Sequence, residues 1–190
     1  MAERFAMRAG QGASKIEITM NTTASIIRGF CFFCVAVALG ACGLRVGAEN
    51  WPAWRGPEGV GVSGEKELPL RWDTNTSVRW RVPLPDRGNS TPIVWGKKVF
   101  VTQATAKDNR RALLCFDRAD GKLLWDRGVT PDDKEPTHAT NPQCSGSPTT
   151  DGERVVAWFG SGGLYCYDMD GKELWHRDLG RQRQDRKSVV

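Results

Sequence analysis

Beyond residue 90 the apolar positions fall into short runs separated by Gly, Asp and Asn, and no stretch after residue 49 repeats at helical spacing between caps. LLCFD (113–117) and LYCYD (164–168) are aliphatic and aromatic runs leading into Asp-Gly, a pair that supplies the positive φ of a tight hairpin turn. KLLW and KELW resume beyond that turn. Upstream, the Pro-containing TPIVW and SPTTD are followed, across Gly-Lys or Gly-Glu, by the β-branched KVFVT and RVVAWF. Two hairpins in series predict a four-stranded antiparallel sheet, and the pattern occurs twice.

The two occurrences are copies of one unit. Residues 112–129 and 163–180 align Cys115 with Cys166, Phe116 with Tyr167, Asp117 with Asp168, Gly121 with Gly171 and Trp125 with Trp175, with one extra residue in the first copy. The upstream halves align Pro92 with Pro148, Gly96 with Gly152 and Val99 with Val155. A weaker echo at 78–84, VRWRVPL, sets Trp80 beside the other two tryptophans, in steps of 45 and 50 residues. That period is the length of a propeller blade.

The repeated Tyr/Cys-x-Asp followed by Asp-Gly-Lys-x-Leu-Trp resembles the PQQ-like, or quinoprotein dehydrogenase-like, β-propeller repeat, a group that includes BamB-like proteins and PQQ-dependent alcohol dehydrogenases. In that family the Trp closing the last strand docks on the neighbouring blade, which is the role the resemblance implies for Trp80, Trp125 and Trp175. WD40 is the rival propeller, prompted by Trp72-Asp73 and Trp125-Asp126, but its Gly-His partner is absent and Asp-Gly-Lys-x-Leu-Trp fits better. The segment from Trp51 to Trp72 is similar to the opening of secreted members. The expected fold is all-β: a partial propeller of two four-stranded blades, cut from a ring of about seven or eight, behind a hydrophobic N-terminal targeting helix. The expected organisation is a targeting segment (1–48), a lead-in with one strand (49–89), blade 1 (90–130), an inter-blade loop (131–145), blade 2 (146–180) and a tail (181–190). Two blades cannot close a ring, and the tail RQRQDRKSVV breaks the pattern where another blade belongs, so the reading frame is expected to be truncated and the tail non-native, with a genuine basic tail as the alternative.

The run 26–41, IIRGFCFFCVAVALGA, has Arg28 on its N-terminal side and a twelve-residue apolar core from Phe30 to Ala41. Spanning a bilayer takes about 20 such residues, so the run reads as a signal-peptide core. Val46-Gly47-Ala48 offers a cleavage site, Leu39-Gly40-Ala41-Cys42 resembles a lipobox with Cys42 as the acylated residue, and an uncleaved anchor is the third option. Met20 could serve as initiator, since residues 1–19 add nothing such a signal requires. Export to the periplasm or cell envelope is expected, with membrane contact only through signal peptide or lipid.

The net charge of +5 invites a nucleic-acid reading that its distribution removes. Residues 1–48 hold five Lys or Arg against two Asp or Glu, and the last ten residues four against one, whereas 49–180 hold eighteen against nineteen. The repeat region is close to neutral and lacks a nucleic-acid binder's basic stripe. Cys31, Cys34 and Cys42 lie in the targeting segment, leaving Cys115, Cys144 and Cys166, an odd set that reads as buried small apolar side chains.

Candidate chemistry is sparse. Asp117 and Asp168 recur in both copies, and a residue present in every blade reads as a turn partner before a catalyst; Gly121 and Gly171 read likewise. The one asymmetric polar stretch, 135–144, carries His138, Asn141 and Gln143, channel-mouth candidates for a ligand, although one His and one Cys fall short of a zinc site. His176, where the first copy has Asp126, reads as a surface residue. The vicinal Cys-Cys common in PQQ dehydrogenases is absent, as are P-loop, nucleophile-elbow and His-Glu-x-x-His motifs. The resemblance therefore implies a binding or scaffold module whose partners are other proteins or the missing blades, with no cofactor in this fragment. The alternative is the N-terminal part of a quinoprotein oxidoreductase whose full-length parent would take PQQ and calcium.

Overall fold

The computed structural model describes residues 3–10 and 13–20, backbone only, and 48–181 apart from 67, 74, 133 and 139. The chain runs β1 (Glu3–Gly10), β2 (Ala13–Met20), β3 (Trp80–Pro83), β4 (Ile93–Trp95), β5 (Lys98–Thr105), β6 (Arg110–Asp117), β7 (Leu123–Val129), β8 (Thr149–Thr150), β9 (Arg154–Trp158), a 3-10 turn (Gly160–Gly162), β10 (Leu164–Asp168) and β11 (Glu173–Arg177). The strands β4-β5-β6-β7 form one four-stranded antiparallel meander and β8-β9-β10-β11 a second. The predicted all-β character and pair of blades are thus both present.

The copies match in their irregularities. In each, the register slips between the last two strands at the same place, after Cys115 paired with Trp125 and after Cys166 paired with Trp175. The bulge leaves Leu124 and Leu174 as the extra residue, and both are exposed. Each blade buries apolar side chains toward its neighbour. Ile93, Phe100, Leu113, Cys115 and Trp125 of blade 1 share one core with Val155, Ala157, Phe159 and Tyr167 of blade 2. On its other face, blade 1 packs Val94, Val99, Val101, Leu114 and Phe116 against Trp51, Trp80 and Val82.

The third sheet, β1-β2-β3, departs from the sequence reading. In the stretch read as adding nothing to a targeting signal, β1 pairs antiparallel with β2, and β2 pairs with β3 from Lys15–Pro83 to Ile18–Trp80. An open strand edge leaves its N–H and C=O groups unpaired, and the alternating Lys-Ile-Glu-Ile-Thr run at 15–19 has strand periodicity. The apolar run 30–41, Cys31, Cys34 and Cys42, and the tail from 182 lie outside the described residues.

The lead-in is stitched to the innermost strands. Trp51 exchanges two backbone hydrogen bonds with Val94 of β4, each 2.8 Å, and the Pro52 carbonyl accepts the Thr150 N–H of β8 at 2.9 Å. A single short segment therefore covers the inner edge of both blades.

Candidate functional site

Trp80 and Trp125 each lock onto the turn of the following unit. Gly121 and Gly171 hold φ of +76° and +83° in the Asp-Gly-Lys turns, a conformation that costs any residue with a Cβ. That missing Cβ is also where the neighbouring indole lies: a Cβ on Gly121 would stand 2.6 Å from Trp80, and one on Gly171 2.7 Å from Trp125. Each indole N–H then donates to a carbonyl of the same turn, Trp80 to Arg118 at 2.9 Å and Trp125 to Met169 at 3.1 Å. Trp125 is consequently only 8% exposed, whereas the equivalent Trp175 is 38% exposed.

Asp117 and Asp168 build those turns. The Asp117 carboxylate accepts the Ala119 N–H at 2.6 Å, and Asp168 accepts those of Asp170 and Lys172 at 2.9 and 2.8 Å. Blade 1 grips the second turn further: Arg127 donates to the Gly171 carbonyl at 2.6 Å, and Lys98 reaches the Met169 carbonyl at 2.6 Å and the Asp170 carboxylate at 2.7 Å.

Each candidate of the inter-blade loop contacts another residue of the loop. His138 Nδ1 lies 2.8 Å from the Thr140 hydroxyl, Asn141 N–H donates to the His138 carbonyl at 3.0 Å, and Gln143 donates to the Glu135 carbonyl at 3.1 Å. These contacts do not bring the three candidates together around a shared point. Cys115, Cys144 and Cys166 are buried free thiols, and burial pushes Cys115 and Cys144 up to about 12. Among the described residues no three His, Cys, Asp or Glu side chains converge.

Sequence reasoning missed three groupings. Trp95 stands over Gly152, where a Cβ would come within 2.4 Å of the ring. Arg111, 1% exposed, pairs with Glu135 at 2.7 Å and donates to the Phe159 carbonyl, while Glu135 in turn accepts from the Ser161 hydroxyl and backbone N–H. Burial alone would raise the Glu135 carboxyl, but the Ser161 hydrogen bond and the Arg111 charge outweigh it and hold the carboxyl below its ordinary range. The third grouping is Tyr165 and His176, cross-strand neighbours whose rings stack at 5.2 Å and 19°.

Serial four-stranded meanders, each locked by an indole over the next turn's glycine, define a β-propeller built from PQQ-like repeats. Residues 57–189 match the family described as outer membrane protein assembly factor BamB, and the chain belongs to that family. Solved structures similar to it include BamB from Moraxella catarrhalis, at 19% identity over 54% of this chain and 27% of that one, with a TM-score of 0.40. A europium-containing methanol dehydrogenase is similar at 17% identity over 53% of this chain and 19% of that one, with a TM-score of 0.36. The chain therefore spans about a quarter or less of the length of these solved relatives. No curated protein matches it.

Proposed function

We propose that the chain is part of an exported propeller that works as a protein-binding or scaffold module in the bacterial cell envelope. The observation that carries this reading is the exposure of Trp54, Val60, Val62, Leu70 and Trp72, five large apolar side chains within one lead-in segment. Large apolar side chains exposed along one segment offer surface that a protein partner can cover. The recurring carboxylates are meanwhile engaged in turns, which leaves surface rather than chemistry as what the repeats offer. Further repeats complete the ring against the Trp175 face, whose indole stands exposed where Trp125 is covered. The run 30–41 directs export, followed by cleavage after Ala48 or acylation of Cys42.

The test is photo-crosslinking in bacterial cells from an unnatural residue at Trp54 or Leu70, with Lys107 as the exposed control. A discrete protein adduct from the first two positions, absent at Lys107, supports the module. A parallel arm adds PQQ and calcium to the full-length product and follows quinone absorbance and dye-linked alcohol oxidation. Reconstituted oxidation without an adduct would overturn the reading in favour of an oxidoreductase.

A further inference from the structure

The second blade carries a cross-strand aromatic pair that the first lacks, and a cavity lies beside it. Where blade 1 sets Leu114 beside Asp126, blade 2 sets Tyr165 beside His176. Asp126 is neutralised by Arg110 through two hydrogen bonds of 2.6 and 3.1 Å. Tyr165 and His176 instead stack with each other, and Tyr165 packs further on Phe159 and Tyr167 at 5.4 and 6.2 Å. The rings stand on two adjacent strands. Beside them lies a cavity of about 400 Å³, walled on one side by the chain leaving blade 1 (Val129, Pro131 and Asp132) and on the other by blade 2.

Its lining has two chemical halves. Val129 and Pro131 stand 3.2 and 3.1 Å from where a Gly162 Cβ would be, so an apolar wall meets bare backbone there. Asp132 and Asp178 line the same space together with Arg181, so acidic residues outnumber basic ones there. Glu173 adds a further negative charge close by, bonded to His176 at 2.7 Å. Burial first, then the charges of Glu173 and Asp178, hold the Tyr165 hydroxyl above its ordinary range.

We infer that this inter-blade cavity binds a small organic cation, a primary amine or guanidinium on an aliphatic stem, with the stem against Val129, Pro131 and the Tyr165 ring and the charged head between Asp132 and Asp178. Its volume falls within the range of small-molecule sites. An apolar stem is accommodated by the first half of the lining, and a strongly hydrated anion is disfavoured by the second. Blade 1 has no counterpart, because Gly128 stands where blade 2 has Asp178 and Leu114 where it has Tyr165. The site is independent of the lead-in surface and of any protein partner, so either proposal can fail without the other.

The experiment is calorimetric titration of the full chain with spermidine and agmatine, and with pentanediol as the neutral mimic of the stem. Saturable binding of either amine, not matched by pentanediol, is expected. Asp178→Asn and Asp132→Asn should each weaken it about tenfold, or about 1.4 kcal/mol, and Tyr165→Leu should weaken it further, whereas Asp126→Asn should leave it unchanged. Chemical-shift changes of the His176 ring on titration provide a second readout that does not depend on the variants folding. Absence of saturable amine binding, equal binding of pentanediol, or an Asp126→Asn effect as large as that of Asp178→Asn would overturn the assignment.

Discussion

Replacing Gly171 by Ala tests the tryptophan lock against an internal control. At Gly171 the methyl meets two costs. The backbone sits at φ +83°, where a residue with a Cβ loses about 1–2 kcal/mol, offset by about 0.4–1 kcal/mol from the stiffer unfolded chain. The added carbon would also lie 2.7 Å from Cδ2 and 2.9 Å from Cγ of Trp125, so the ring has to move. It has little room, since its N–H is held by Met169 and its faces meet Phe100 and Tyr167 at 5.7 and 6.2 Å. Forcing an extra methyl into such packing costs about 1–3 kcal/mol. Gly96 shares the first cost, with φ +54°, but has nothing within 4 Å of its missing Cβ. Gly96→Ala should therefore cost about 1 kcal/mol and Gly171→Ala about 2–4 kcal/mol. Urea denaturation of the full chain, followed by far-ultraviolet circular dichroism, measures both, and an unchanged slope shows that the denatured state is not the cause. Equal losses in the two variants would refute the lock.

Glu135→Gln leaves Arg111 buried without its counter-charge and should cost about 1–3 kcal/mol, read as a lowered urea midpoint. Because the folded carboxyl lies below its ordinary value, its contribution is complete above the unfolded Glu value of about 4.3 and is lost as pH falls through the folded one. The gap between wild type and Glu135→Gln should therefore narrow on acidification below that range, and a gap that widens there would contradict the pairing. In a chain with Cys31, Cys34 and Cys42 replaced by Ser, Cys115, Cys144 and Cys166 should resist Ellman's reagent in mildly alkaline buffer, since each thiol is buried and its acidity suppressed. All three should react in concentrated guanidinium, and rapid native labelling would count against the interior placement.

What the sequence made legible is what the fold uses more than once. The Asp-Gly-Lys turn, the cysteine strand and the closing Trp could be aligned because every blade needs the same turn, and the shared bulge at Leu124 and Leu174 follows from that common geometry. The β1-β2 hairpin was hidden for another reason: its pattern lay in a segment whose nearby apolar run invited a targeting reading. Trp95 over Gly152 went unseen because the second copy has Asp151 where the first has Trp95, so no repetition marked the position. Arg111, Glu135 and Ser161 are single-copy residues 24 and 26 positions apart in sequence, and only the docking of blade on blade brings them together.

The same asymmetry separates cohesion from recognition. In a chain of repeats, stability resides largely in the interfaces between neighbours, and here each interface runs in one direction, from a strand of the preceding unit to the turn of the following one. Trp80 closes on the turn at Gly121, and Trp125, Arg127 and Lys98 close on the turn at Gly171. A residue that serves this purpose must recur, and a residue that recurs is thereby committed. Specific recognition has to come from positions freed from the repeat, and Tyr165 with His176 is such a pair: its cross-strand register is that of Leu114 with Asp126, yet its chemistry is entirely different. Distinct chemistry in an otherwise conserved register is the physical reason to look for a ligand between the blades rather than at the repeated aspartates.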